Sequence, residues 1–439
     1  MWCGHFLEVW GEMVSPKRVS GLCTIYAPVP RKPPKMTVPQ LLSAHIYHVL
    51  QEGGTLASSG KRLHGIDMSD QAYAERRESL PIRLFDELMF YGLKPLADPR
   101  RHKECFYKGW RLAGLDGTQW SATNTPMILA QLPKAASRRL KAAFAKIRLV
   151  CAVELGTHAP IAAVAAPATE GEQTLARRVW DLFPEHVLVI EDRLFGTART
   201  LDEAITGSEG RDIAFLVRVK NNIKVKVLSR LPDGSAIVQV PVRENGKSIG
   251  QLKVREIRAK GIGRDGQKFG LRLWTTLLDQ EAYPAAELAE LYAMRWECEL
   301  YYKELKYDVR GAPVLASHTL ETALQETAAL VLASAVVARM RVEAATRLRV
   351  PVVRVSFHKL LVATRGLWSA FKYAGSKLTE ALKAQFWKEY VDDVRSNAIL
   401  PERRHRSSPR VLCQPVNSWP RKTDQKSYSG DVKIAVIPL

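Results

Sequence analysis

Apolar strands and helices alternate along the middle of the chain, and this alternation constrains the fold more than any other sequence feature. Residues 111–120 predict a strand that ends at an Asp-Gly pair, and residues 148–168 predict two strands joined by a turn. Residues 170–183 predict a helix, and 186–195 and 211–220 predict two more strands. We therefore expect an α/β fold with a mixed sheet covered by helices.

Residues 221–278 depart from this alternation. Short alternating strands at 223–228, 236–242 and 252–259 are separated by the turn sequences PDG, ENG and GRDG. A β-rich segment therefore interrupts the α/β region. Helix is expected to return at Pro284 and to continue to about Tyr307, with a second helix over residues 319–348.

The two ends of the chain have a different composition. Residues 15–39 carry six prolines and predict an extended arm, followed by helices at 38–51 and from about Ser69, which can cap the second. Arg76 and Arg77 on that helix either face phosphate or belong to a solvated helix surface. From about residue 400 the sequence is rich in Pro, Arg and Ser and predicts little regular structure.

Positive charge is concentrated in two segments. The formal net charge is +20; residues 211–274 hold 15 Lys and Arg against 5 Asp and Glu, and residues 341–439 hold 19 against 8. Concentrated positive charge suits a polyanion, because each neutralised phosphate releases counterions. Nucleic acid is the expected partner, and a solvated basic surface is the alternative.

The cysteine pattern argues against a zinc site or a disulfide framework. Six cysteines, none in a CxxC pair and none beside a histidine cluster, predict reduced thiols in a cytosolic protein. The longest apolar run, 327–338, is too short to span a bilayer, so we expect a buried helix there. The N-terminus does not resemble a signal peptide.

Two aspartates are candidates for chemistry at the ends of predicted core strands. Asp116 follows LAGL and Asp192 follows VLVIE. Carboxylates at rigid strand ends suit Mg²⁺, which prefers carboxylate and water oxygens. Read singly, each aspartate is more often a turn or helix cap.

A third carboxylate, Glu299, lies on a predicted helix with three other polar groups. Tyr292, Arg295, Glu299 and Lys306 fall within roughly 60° of one another if each residue turns the helix by roughly 100°. Glu299 can then hold a metal ion while the phenol and the two cations grip phosphate oxygens. Glu297 points about 160° away on the same wheel and is excluded as a ligand. A surface helix with an Arg295–Glu299 ion pair is the alternative.

The spacing Tyr-x2-Arg-x3-Glu-x6-Lys resembles the signature of the insertion-sequence-four family of bacterial transposases. The family's Asp-Gly-Thr motif matches Asp116 to Thr118, and its Asp-x-x-Phe motif matches Asp192 to Phe195. Similarity also covers NTP at Asn124, TTLLD before the helix and the basic RRHRSSPR tail, so it runs from about residue 60 to about 410.

This resemblance implies a ribonuclease-H-like core interrupted by a β insertion, and catalysis by Asp116, Asp192 and Glu299 with two Mg²⁺ or Mn²⁺ ions. It implies a DNA transposase that cleaves transposon inverted-repeat ends and transfers the freed 3′-hydroxyl strand to target DNA. Tyr292, Arg295 and Lys306 would bind DNA phosphate. A tryptophan of the insertion would stack on a flipped base; Trp274 is the candidate, and a core tryptophan is the alternative.

The partners implied are double-stranded DNA and a second copy of the chain in the synaptic complex, in the bacterial cytoplasm and at the nucleoid. Two other functions remain open: a related metal-dependent nuclease or resolvase, and a DNA-binding relic without activity. Five segments are expected: a helical DNA-binding region (1–105), the first part of the catalytic core (106–220), the β insertion (221–280), the second part of the core (281–345) and a basic C-terminal region (346–439).

Overall fold

The computed structural model describes residues 4–28, 32–134, 142–262, 268–312, 314–401, 406–407, 428–429 and 433–438. The chain forms two compact units. Unit 1 comprises residues 1–185 and 296–399, and unit 2 comprises residues 186–295 and 400–439.

Unit 1 begins with six helices. They are α1 (Gly4–Met13), α2 (Pro16–Tyr26), α3 (Val38–Val49), α4 (Leu56–His64), α5 (Asp70–Glu78) and α6 (Ile82–Gly92). The helices predicted at 38–51 and from Ser69 are confirmed, and the Ser69 hydroxyl accepts from the Ala72 amide at 3.2 Å.

The extended arm expected over residues 15–39 is wrong for its first half, which forms α2. Ser15 caps this helix, Pro16 occupies its first turn, and Val19 and Leu22 are buried. Proline at the first helical position costs nothing, because the amide it lacks would have no intrahelical partner there. The proline content therefore marked a helix start as well as a linker.

A small antiparallel sheet follows in unit 1. Its strands β1 (Phe106–Tyr107), β2 (Trp110–Ser121), β3 (Lys146–Glu154) and β4 (Ala159–Pro167) are paired β1 with β2, β2 with β3 and β3 with β4. A 3-10 turn (Lys103–Cys105), α7 (Pro126–Gln131) and α8 (Glu172–Trp180) accompany the strands. The strand pair and the helix predicted at 148–183 are confirmed.

Asp116 does not end a strand as expected. It lies within β2, directly opposite Cys151 of β3, and the pairing continues to Ser121 opposite Lys146. The Asp-Gly pair looked like a turn, but cross-strand pairing with β3 carries the backbone straight through it. The continuation of β2 past Asp116 depends on the partner strand β3, so the local sequence around Asp116 does not predict it.

Unit 2 contains a mixed sheet. Strand β5 (Val187–Glu191), helix α9 (Ala198–Gly207) and strand β6 (Ile213–Arg218) form a parallel β-α-β unit. The β insertion supplies β7 (Lys226–Arg230), β8 (Ala236–Glu244), β9 (Lys247–Ile262) and β10 (Lys268–Thr275). The order is β5-β6-β10-β9-β8-β7, antiparallel from β6 onward. The predicted α/β class, mixed sheet and β insertion are thereby confirmed.

The helix predicted from Pro284 to about Tyr307 is broken into pieces of different pitch. It consists of α10 (Ala285–Leu291), a 3-10 segment (Tyr292–Arg295), α11 (Trp296–Lys303) and a π-helical segment (Glu304–Arg310). A uniform 100° per residue therefore does not apply, because 3-10 turns are tighter and π turns wider than α turns. The boundary between the two units falls inside this region, between Arg295 and Trp296.

The rest of unit 1 is helical. It comprises α12 (Leu320–Leu348), a 3-10 turn (Val352–Arg354), α13 (Phe357–Ala374), a 3-10 turn (Gly375–Lys377), α14 (Glu380–Asp393) and a π turn (Val394–Ala398). The prediction for 319–348 is confirmed: Thr319 caps α12, and residues 322–338 are buried. Among the described residues, no helix is long and apolar enough to cross a membrane.

The tail was expected to have little regular structure, and this is wrong for its last part. Strand β13 (Lys433–Val436) pairs antiparallel with β9, and short strands β11 (Arg406–Ser407) and β12 (Tyr428–Ser429) pair with each other. The rest of the tail, including most of RRHRSSPR, lies outside the described residues. Strand β13 forms because β9 offers it an edge far away in sequence.

Candidate active site

Asp116 is held on β2 by backbone contacts in unit 1. Its side chain is half-buried, and its Oδ1 accepts from the Gly117 amide at 2.8 Å. The Tyr302 hydroxyl donates to the Asp116 carbonyl at 2.5 Å, which ties α11 to this point of the strand. A Cβ atom on Gly117 would lie 2.3 Å from the Glu172 carboxyl carbon, so glycine lets α8 approach.

Lys306 lies in the same neighbourhood. Burial and the nearby Lys146 lower the pKa of Lys306, and the Asp116 carboxylate partly opposes this change. The ammonium lies 5.8 Å from the centre of the Trp120 ring. Unit 1 thus brings together Asp116 and Lys306, two of the residues singled out by sequence.

Glu299 is half-buried on α11, and its neighbour Glu297 faces elsewhere. Glu297 Oε2 is 2.7 Å from His158 Nε2. The prediction that Glu297 is not the metal ligand is supported, because its carboxylate is committed to this buried contact.

A buried ionic network holds the helix that carries Glu299 and Lys306. His158, in the β3–β4 turn with φ +58°, also places Nδ1 at 2.7 Å from Glu304 Oε2. Arg341 of α12 donates to Glu304 Oε1 at 3.3 Å. Burial lowers the pKa of His158, but Glu304 and Glu297 outweigh it and raise the value to about 9. The imidazolium therefore donates from both nitrogens at neutral pH and holds α11 at Glu297 and the π-helical segment at Glu304.

Asp192 lies in unit 2, directly after β5 as predicted. It is half-buried, and its Oδ1 accepts from the Leu194 amide at 2.6 Å, so it does cap the turn. Its Oδ2 has no hydrogen-bond partner within the part of the chain that the structure describes. Gly196 completes the turn, and a Cβ atom there would lie 2.0 Å from the Arg218 carbonyl oxygen. The turn after Asp192 therefore requires glycine.

Tyr292 and Arg295 belong to unit 2, whereas Glu299 and Lys306 belong to unit 1. Tyr292 is 6% exposed in the 3-10 segment, and Arg295 is half-buried. Because the four signature positions are divided between two units, their joint grip on phosphate stays a prediction.

Trp274 is a core tryptophan in this structure, which matches the alternative given above and argues against its predicted stacking on a flipped base. Its side chain is 0% exposed on β10, and its indole N–H donates to Glu256 Oε2 at 2.9 Å. Glu256 also accepts from Arg272 at 2.8 Å. A ring enclosed by the sheet and anchored to a buried carboxylate offers no face to a nucleobase.

The donor chemistry at the three carboxylates fits a hard divalent cation. Carboxylate oxygens are the ligands Mg²⁺ prefers, and Mg²⁺ is usually held by one or two carboxylates plus water and substrate phosphate. Among the described residues, no three His, Cys, Asp or Glu side chains are grouped closely enough to hold a metal ion by themselves. Asp192 Oδ2 is a candidate ligand atom.

Residues 112–335 match the family model described as the transposase DDE domain. This match covers half of the chain. The chain belongs to the transposase DDE domain family, as a member of the insertion-sequence-four group. Proteins of this family generally depend on divalent metal ions.

One curated relative supports the assignment. The transposase InsG for insertion sequence element IS4 of Escherichia coli (strain K12) is 23% identical over 242 residues. The match covers 55% of this chain and 54% of the relative, so it spans about half the length of that protein. The piggyBac transposase synaptic complex with hairpin DNA is similar at a TM-score of 0.46 and 7% identity, covering 91% of this chain and 86% of that one. That likeness is too distant to bear on the site.

Sequence reasoning missed the network of His158, Glu304 and Arg341. The one local signal is the seven-residue spacing of Glu297 and Glu304, which brings both carboxylates to one side of a helix. Their histidine partner lies 139 and 146 positions earlier, so only the fold joins them.

Proposed function

We propose that this chain is a DNA transposase that cleaves the inverted-repeat ends of its element and transfers the 3′-hydroxyl strand into target DNA. The family match over residues 112–335 carries this proposal, because that segment includes all three carboxylates. Asp116, Asp192 and Glu299 are proposed to hold two Mg²⁺ or Mn²⁺ ions. The metal ions would activate the attacking oxygen and stabilise the leaving oxygen.

The protein groups have separate roles in this proposal. Asp116 and Asp192 supply oxygen ligands from a strand and from the turn after a strand, and Glu299 supplies a third from α11. Tyr302 and the His158 network keep α11 in place on unit 1. Arg295, Lys306 and Tyr292 bind phosphate oxygens, which orients the DNA but does not read its sequence.

The wider organisation is proposed as well. The core is proposed to be ribonuclease-H-like. The antiparallel strands β2, β3 and β4 of unit 1 and the parallel strands β5 and β6 of unit 2 follow one another in the chain in the order such a core requires. Residues 1–105 and 346–439 are proposed to contact double-stranded DNA, and 221–280 form the insertion. Synapsis of two ends needs a homodimer, acting in the bacterial cytoplasm at the nucleoid.

The test is a cleavage and strand-transfer assay with the full chain, Mg²⁺ or Mn²⁺, and a duplex carrying the inverted repeats that flank the gene. We expect Asp116→Ala, Asp192→Ala and Glu299→Ala each to lose at least about 100-fold in cleavage rate, since even outer-shell partners of metal ligands cost 10–100-fold. DNA binding should persist in all three.

Glu290→Ala is the matched control, since Glu290 is an exposed carboxylate at the end of α10 and should leave cleavage unchanged. Full cleavage by any one of the three variants would overturn the site. Cleavage without strand-transfer products would favour a nuclease instead.

A further inference from the structure

A cavity of about 360 Å³ lies within unit 1 among the N-terminal helices, the π-helical segment and α12. At about 30 Å³ per water it has room for roughly a dozen molecules. Pockets that hold small organic ligands measure about 300–1,000 Å³. The polar residues that line the cavity are His45, His48, Gln51, Arg77, Arg310 and Glu326.

His45 is the most informative residue in this cavity. It is 2% exposed, and neither Nδ1 nor Nε2 meets a hydrogen-bond partner among the described residues. Burial lowers the pKa of His45 well below its usual value, so the ring is neutral and presents one N–H and one lone pair. A buried polar group without a partner is destabilising. Two such atoms in a polar cavity require a partner from outside the protein, either water or a ligand.

Gln51 adds a second unsatisfied donor. Its amide nitrogen is buried and also lacks a partner in the described part of the chain. His48, by contrast, already places Nδ1 at 3.0 Å from Ser59 Oγ. The groups that remain to be satisfied are therefore mainly N–H donors.

The charged residues that line the cavity also favour a ligand that accepts hydrogen bonds. The Glu326 carboxylate already accepts hydrogen bonds from the Ser317 hydroxyl at 2.6 Å and from the Ser317 amide at 3.0 Å. It also forms an ion pair with Arg310, whose Nε lies 3.1 Å from Glu326 Oε1. Arg77 donates through Nη2 to Ser317 Oγ at 3.0 Å, and Glu326 is the carboxylate that acts most strongly on its charge. Among the residues that line the cavity, two guanidinium groups accompany one carboxylate, and Asp70 acts on His48 from outside this lining. A donor-rich, cationic cavity selects an anion.

We propose that this cavity binds a phosphorylated small ligand of about mononucleotide size. The phosphate would bind Arg77 and the donors of Gln51 and His45, because guanidinium geometry matches phosphate oxygens. The other His45 nitrogen accepts from a donor on the body of the ligand, which fills the rest of the volume. The ligand is either a free mononucleotide or the terminal nucleotide of a 5′-phosphorylated DNA strand.

The first experiment is calorimetric titration of the full chain with adenosine 5′-monophosphate, adenosine and inorganic phosphate. We expect saturable one-to-one binding of the monophosphate, and binding of adenosine at least tenfold weaker. Equal affinity for adenosine would overturn the role of phosphate. No saturable binding of the monophosphate up to about 10 mM, which corresponds to less than about 3 kcal/mol, would show that the cavity holds only water.

Single substitutions of the lining residues then test whether the monophosphate binds in this cavity. Gln51→Glu places a carboxylate in the cavity and removes no protein contact of the amide nitrogen, so the chain should fold and lose at least tenfold in affinity. Arg77→Gln should weaken binding similarly, although it also removes the contact to Ser317. Arg76→Gln is the matched control: Arg76 is the neighbour on α5, donates to the Met36 carbonyl, and does not line the cavity. Wild-type affinity in Gln51→Glu would overturn the proposal.

The two sources are distinguished with DNA duplexes that carry either a 5′-phosphate or a 5′-hydroxyl. If the ligand is a DNA end, Gln51→Glu weakens binding of the phosphorylated duplex alone. If it is a free mononucleotide, the variant loses the monophosphate but binds both duplexes as the wild type does. Both results can be read whether or not the chain cleaves DNA, so they are independent of the proposed transposase activity.

Discussion

At the scale of single residues, two glycines that follow the candidate aspartates allow other groups to approach the chain closely. Gly117 faces the end of the Glu172 side chain, which can move, whereas Gly196 faces the backbone carbonyl of Arg218. The two positions look alike in sequence, as each follows an aspartate motif. They differ in tolerance because a flexible side chain yields more easily than a paired strand.

We therefore expect Gly196→Ala to destabilise the protein by about 1–3 kcal/mol, the usual cost of overpacking, and Gly117→Ala to cost less. Denaturant unfolding followed by circular dichroism measures both. Gly270→Ala is the control in unit 2, because nothing lies within 4 Å of its added methyl group. Equal stability of Gly196→Ala and Gly270→Ala would contradict the close approach.

At the scale of elements, two buried charged groups hold the site and the insertion. One is His158 with Glu297 and Glu304, which anchors α11 and the π-helical segment. The other is Glu256 with Arg272 and Trp274, which ties β9 to β10. In both, removal of one member leaves a buried charge uncompensated, which is costly.

The first group predicts a pH dependence of stability. Because the pKa of His158 is raised from 6.5 to about 9 on folding, its contribution is complete below pH 6.5 and is lost as the pH rises to about 9. The free energy of unfolding of the wild type should fall across this window more steeply than that of His158→Gln. If the free energy of unfolding varies with pH in the same way for the two proteins between pH 6.5 and 9, the His158 imidazolium does not stabilise the fold.

The second group predicts that Glu256→Gln destabilises unit 2 by about 3–5 kcal/mol, because Arg272 is then left buried without its counter-charge. Trp274→Phe should cost less, about 1–3 kcal/mol for the lost hydrogen bond to a charged group. Thermal unfolding measures both effects. Since Trp274 is enclosed in the sheet, Trp274→Phe should leave DNA affinity unchanged; a large loss of affinity in a stable Trp274→Phe protein would restore a DNA-stacking role.

At the scale of the whole molecule, the net charge of +20 and its concentration in two segments suit a polyanionic substrate. Each neutralised phosphate contributes to the salt dependence of binding. Arg295 and Lys306 should each contribute to this salt dependence if their side chains bind phosphate.

We expect DNA affinity to fall steeply with salt, and Lys306→Gln or Arg295→Gln each to reduce the slope of log K against log salt by about 1. Fluorescence anisotropy with a labelled inverted-repeat duplex gives the slope. Arg199→Gln serves as control, since Arg199 lies outside the proposed DNA-contacting regions, is partly exposed and is paired with Glu203 and Glu244. An unchanged slope in both signature variants would remove them from the phosphate contacts.

The sequence by itself determined the α/β class, the β insertion, most strand and helix positions and the family motifs. These follow from hydrophobic periodicity and turn chemistry, which act between near neighbours in the chain. Even the exclusion of Glu297 followed from helical geometry over two residues.

Only the tertiary structure decided the rest, because the partners are far apart in the chain. Pairing with β3 carries β2 past Asp116, β9 gives an edge to β13, and burial beside Glu256 makes Trp274 a core residue. The change of helix type at Arg295 coincides with the boundary between the units. Packing between segments that are far apart in the chain overrides the local secondary-structure preference, and no short sequence pattern predicts that packing.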